Sequence, residues 1–112
     1  MQRGEVWWAE LPAPRGSEPG YKRPVLVVQA DAFNRSRIGT VVVAVLSSNL
    51  ELATAPGNVA LSRRDSKLAR RSVVNVSQLL SLDRGFLQTL VARLPETKLA
   101  EVDAGLRLVL AL

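Results

Sequence analysis

The sequence contains no cysteine and no histidine. The first absence excludes disulfides, thiolate metal sites and cysteine nucleophiles. The second removes the commonest general acid–base group and the commonest metal ligand. Aromatic residues make up only 4% of the chain, too few for a platform that reads RNA by stacking bases on rings. No P-loop is present, and no Gly-x-Gly-x-x-Gly follows a strand. The 10 acidic residues are scattered without metal-binding spacing, so neither a metal nor another cofactor is expected. Long hydrophobic runs are missing as well. The longest, such as Val41 to Leu46, fall far short of the roughly 20 residues that span a bilayer. The N-terminus, MQRGEVWWAEL, carries Glu5 and lacks an apolar signal-peptide core. The expectation is a soluble cytoplasmic protein with no membrane partner.

What is present is a folding-competent chain with a basic bias. Its 112 residues, 47% hydrophobic, suit one domain spanning residues 1–112. The net charge is +5. Residues 51–75 hold five basic residues (Arg63, Arg64, Lys67, Arg70 and Arg71) against Glu51 and Asp65, whereas residues 76–112 are balanced. A patch of this kind attracts polyanions through counterion release, or serves only as a solvated face.

Most of the chain reads as strand. Gly4–Leu11, Pro24–Gln29, Thr40–Ser48, Asn58–Ser62, Ser72–Leu79 and Leu87–Leu94 are short and rich in β-formers. PVLVVQ and TVVVAVLSS are continuous apolar runs, as in strands buried on both faces. Six such strands suggest a small barrel or a strongly bent sheet. From Pro95 to Leu112 the period changes. Leu99, Val102, Leu106 and Val109 or Leu110 fall at helical spacing, with Pro95 suited to a first helical position. Gly105 weakens this helix but permits close packing. A turn or short helix is expected near Asp31–Arg35. Pro12–Arg23 and Asn49–Gly57 are the long connections, and long loops in small domains are often functional.

Few residues remain to carry chemistry. Arg23 sits at a loop-to-strand junction, and Pro24 pushes it into an extended conformation. Ser47 and Ser48 end the strand that begins at Thr40. If these two strands are neighbours, Arg23 and Ser47 converge at one rim. The plainer alternative is a strand-end serine bonded to its own backbone and an arginine in a surface ion pair. Gln78 is a second candidate, placed where a strand leads into a turn at Ser81–Asp83. Trp7 and Trp8 are adjacent in a strand and point to opposite faces. One belongs in the core, and the other is available for an interface or a base.

These pieces resemble a known family. RGEVWWAELPAPRGSEPGYKRPVLVVQADAFN is similar to the N-terminal signature of the MazF/PemK toxins of bacterial toxin–antitoxin modules. TVVVAVLSSN resembles that family's TVIVAPLTSN strand, SVVNVSQLLSLDR its DSVV segment, and LxxVDxxL its C-terminal helix. The resemblance covers essentially the whole chain. It implies a mainly β fold with a C-terminal α-helix, a compact SH3-like barrel shared in outline with the CcdB gyrase poisons. It implies a homodimer and a sequence-specific, metal-independent endoribonuclease acting on single-stranded RNA. It also implies a cognate antitoxin, expected to bring an acidic, partly disordered segment.

By the same resemblance the catalytic arginine falls on Arg23 and the catalytic threonine on Ser47, which keeps the hydroxyl and loses the methyl. Ser17, Glu18 and Gln78 match positions that line the RNA groove. Lys22 and Ser48, flanking the catalytic pair, are expected to bind RNA with them. The acid usual before SVV is Arg71 here. The chemistry implied is attack of a ribose 2′-hydroxyl on the adjacent phosphate. Glu18, water and Arg23 itself all remain open as the base. Two other readings use the same residues differently: a gyrase-poisoning toxin of the same fold, and a non-catalytic barrel that binds nucleic acid through Arg63–Arg71.

Overall fold

The computed structural model describes residues 1–12, 16 and 21–112. Its six strands are β1 (Glu5–Leu11), β2 (Tyr21–Val27), β3 (Thr40–Ser47), β4 (Val59–Leu61), β5 (Ser72–Asp83) and β6 (Leu87–Arg93). They form one antiparallel sheet in the order β4-β5-β3-β2-β1-β6. Three short helical segments interrupt or follow them: α1 (Asp31–Asn34), α2 (Arg63–Ser66) and α3 (Glu96–Leu110). The mainly β architecture with a C-terminal helix is as expected.

The apolar runs of β2 and β3 are buried on both faces because the sheet curls and encloses two cores. Leu26, Ala44 and Leu46 join Val6, Val59, Val74, Val76 and Val102 in one core. The alternate residues Val25, Val27, Val41, Val43 and Val45 join Ala9, Leu11 and Leu82 in the other. Period-two alternation explains the division. Register shifts in the β1–β6 ladder, between Val6 and Trp7 and between Trp8 and Ala9, add the local twist that such irregularities produce.

A larger irregularity lies in β5. Val45 pairs with Asn75 but Ala44 pairs with Leu79, so residues 76–78 have no partner on β3. Two of their N–H groups are taken by asparagine side chains. Val76 N–H donates to Asn58 Oδ1 at 3.0 Å, and Ser77 N–H donates to Asn75 Oδ1 at 3.1 Å.

Helix α3 crosses the first core. Val102 is fully buried there and Leu106 packs against it. Gly105 meets Gly57 so closely that an added Cβ would lie 2.1 Å from the Gly57 carbonyl oxygen. The glycine that weakens the helix thus allows it to dock. The last turn does not follow the expected stripe. Val109 and Leu110 are exposed, as are Leu108 and Leu112.

Several boundaries differ from expectation. β2 begins at Tyr21 rather than Pro24, because Tyr21, Lys22 and Arg23 pair with Leu11, Glu10 and Ala9 of β1. Arg23 therefore stands inside a strand. β5 runs on to Asp83, so no turn occupies Ser81–Asp83; Thr40, Val41 and Val42 of β3 pair with those residues. Pro95 is the N-cap of α3 rather than its first residue. The connection Asn49–Gly57 contains a 3-10 turn at Leu50–Thr54, and the basic cluster contains α2. The latter starts with a capping box in which Ser62 Oγ accepts from Asp65 N–H and Asp65 accepts from Ser62 N–H.

Candidate active site

The site begins at a proline. The β2–β3 ladder runs from the Val25–Val45 pair to the Val27–Val43 pair. Pro24, which has no N–H to donate, lies just outside it. Arg23 and Ser47 each lie two residues beyond the Val25–Val45 pair, at the same end of the ladder. Where the ladder stops, a cleft of about 350 Å³ opens.

Four neighbouring strands build this cleft. Trp8, Lys22, Arg23 and Pro24 come from β1 and β2, and Leu46, Ser47 and Ser48 come from the end of β3. The third side is Leu68, Arg70, Arg71 and Ser72, at the start of β5 and just before it. Among the described residues, the lining holds four cations and no carboxylate. Lys22 Nζ lies 5.9 Å from the centre of the Trp8 ring, within cation–π range.

Ser47 Oγ accepts from Asn49 N–H at 3.1 Å. This is the strand-end serine turn, yet it does not compete with a role in the cleft. A hydroxyl that accepts one bond still has its own proton to donate. Ser72 is 3% exposed, and its Oγ has no hydrogen-bond partner.

The structure therefore brings Arg23, Ser47, Lys22 and Ser48 to one cleft. Gln78 is not among its lining residues; it lies half-buried in the unpaired stretch of β5. Ser17 and Glu18 lie outside the described residues. The two tryptophans divide as expected: Trp7 packs against the second core, with its indole N–H on Glu5, and Trp8 lines the cleft. Arg70, Arg71 and Ser72 were not singled out as cleft residues from sequence. Their place depends on β5 lying beside β3, a long-range pairing. Among the described residues, no three carboxylates cluster as a metal site would need.

A family model for PemK-like, MazF-like toxins of type II toxin–antitoxin systems matches residues 2–110. The chain belongs to that family. It is 46% identical to endoribonuclease MazF2 of Mycobacterium bovis, over all of this chain and 98% of that protein. Among solved structures, MazF from Deinococcus radiodurans superposes with a TM-score of 0.81 at 27% identity, covering 100% of this chain and 97% of that one. A MazE–MazF structure from the same organism gives 0.77 at 26% identity, with 100% and 96% covered. The curled sheet with its C-terminal helix is thus the fold of the family.

Proposed function

We propose that this chain is an endoribonuclease toxin that cleaves single-stranded RNA at particular sequences without a metal ion. The observation that carries the reading is that Arg23 and Ser47 line one cationic cleft, in a chain whose 46%-identical relative bears the name endoribonuclease.

In the reaction a ribose 2′-hydroxyl loses its proton to a base and its oxygen attacks the adjacent phosphorus. The phosphorus–O5′ bond breaks and O5′ takes up a proton. The products are a 2′,3′-cyclic phosphate and a 5′-hydroxyl. Negative charge grows on the non-bridging oxygens as the fifth bond forms. Arg23 meets two of them with its planar fork. Ser47, held by Asn49 N–H, donates its proton to a non-bridging oxygen as that charge grows. Lys22 and Ser48 hold the strand beside them. Ser17, Glu18 and Gln78 complete the RNA groove in this reading, and the proton acceptor is Glu18, water or Arg23.

The same reading makes the protein a cytoplasmic homodimer formed of one domain, neutralised by an acidic antitoxin segment. The exposed apolar end of α3 (Leu108, Val109, Leu110 and Leu112) is surface of the kind that a partner covers. Relatives of this fold have been solved as MazE–MazF complexes.

The test is to incubate the purified protein with mixed-sequence RNA and map the ends. The expected result is fragments with 5′-hydroxyls and 2′,3′-cyclic phosphates. Intact RNA, or fragments with 5′-phosphates, would refute the assignment.

A further inference from the structure

We propose that Arg70, Arg71 and Ser72 form a second phosphate subsite, holding a phosphodiester that neighbours the one placed at Arg23 and Ser47. This rests on the ribonuclease reading and adds to it a second point of grip on the same RNA strand.

The first support is the order of strands. β3 lies between β2 and β5, so Arg23 and the start of β5 stand on opposite sides of Ser47. Two strand spacings separate them, about 10 Å of backbone. A phosphodiester has two non-bridging oxygens, and one guanidinium fork engages both. The cations of the far wall therefore need a different phosphate.

The second support is the state of those cations. Arg70 and Arg71 are exposed, and neither has an ion pair among the described residues. Among the described residues, no carboxylate lines the cleft to neutralise them.

The third support is Ser72. Its hydroxyl is buried at the edge of the cleft and makes no hydrogen bond. Buried hydroxyls nearly always have a partner. With that hydroxyl turned toward the cleft, a phosphate oxygen held by the two arginines would supply an acceptor for its proton.

The experiment measures binding separately from cleavage. The probe is a fluorescent, fully 2′-O-methylated RNA of roughly ten nucleotides, followed by anisotropy from about 50 to 300 mM salt. It has no attacking hydroxyl, so it stays intact. In an Arg70→Ala/Arg71→Ala variant, the slope of log affinity against log salt is expected to shrink by about 0.7, the share of one phosphate on a single strand. An Arg63→Ala/Arg64→Ala variant removes as much charge from α2, whose arginines do not line the cleft, and its slope should match wild type. Ser72→Ala should weaken binding by about two- to tenfold with the slope unchanged and the melting temperature no lower.

An unchanged slope in the Arg70/Arg71 variant overturns the subsite. So does an equal loss in the Arg63/Arg64 control, which would make the patch a diffuse attractor. Wild-type affinity in Ser72→Ala removes that hydroxyl from the subsite. If wild type binds the probe but never cuts natural RNA, the ribonuclease reading fails while the subsite stands.

Discussion

In the reaction proposed above, Arg23 and Ser47 would divide the work at the reacting phosphate by chemical type. The guanidinium supplies charge in a fixed plane, and the hydroxyl supplies one directional proton. Arg23→Ala is expected to lower cleavage by at least about a hundredfold while leaving the far-ultraviolet circular dichroism unchanged. Full activity in that variant would remove Arg23 from the reaction. Ser47→Ala should slow turnover, and Ser47→Thr should match or exceed wild type, since it restores a methyl without losing the donor. Comparing the two variants at saturating RNA checks this, and wild-type kinetics in Ser47→Ala would shift the role to Ser48 or to neither.

A different residue governs acid sensitivity. Asp31 accepts from Arg3 N–H at 2.8 Å and from Asn34 Nδ2 at 3.1 Å. The backbone hydrogen bond from Arg3 and the side-chain bond from Asn34 hold its carboxyl below the usual range. A carboxyl with a depressed folded-state value stabilises the fold above its unfolded value, about 3.9. That contribution fades as pH falls through the folded value. Asp31→Asn should therefore lose less stability than wild type between about pH 5 and 3, measured by urea titration. Parallel losses in both proteins would assign the acid sensitivity elsewhere.

Among the elements, α3 depends most on a single contact. Its docking needs the Gly105 backbone against Gly57, where an added Cβ would sit 2.1 Å from a carbonyl oxygen. Gly105→Ala gains about 1 kcal/mol of helix propensity. The overlap with backbone forces α3 away from Val59 and Val76 and costs more. The net expectation is destabilisation by about 1–3 kcal/mol, read as a lower urea midpoint; a raised midpoint would show that the helix docks by another face. The period of Leu99, Val102 and Leu106 was legible because an amphipathic helix repeats on one face. The stripe failed at Val109 and Leu110 because α3 extends past the edge of the core. β5 was read too short for a similar reason. Nothing local marks its run past Leu79, which is held by Thr40, Val41 and Val42 across the sheet.

For the molecule as a whole, the decisive property is that any chemistry must proceed without an imidazole or a thiol of its own. Cleavage is expected to persist in excess chelator, with product formation on a gel equal to that in untreated buffer. Loss of cleavage, restored by adding a divalent ion, would mean that RNA or Glu18 recruits a metal. The net charge of +5 draws RNA from a distance, but only part of the basic cluster faces the cleft. Arg70 and Arg71 do, whereas Arg63, Arg64 and Lys67 do not.

The sequence by itself determined the strand segments, the exclusion of histidine and thiolate chemistry, the opposite facing of Trp7 and Trp8, and the candidacy of Arg23 and Ser47. The first three rest on composition or on a period of two, which neighbouring residues carry among themselves; the candidacy of Arg23 and Ser47 rests on their places at strand ends and on the family resemblance. Only the tertiary structure decided that β5 lies beside β3 and that Gly105 is a docking point. It also separated the cations that share the cleft with Arg23 from those on open surface. Those outcomes depend on strand order and register, and they arise from burying two faces of one curled sheet at once.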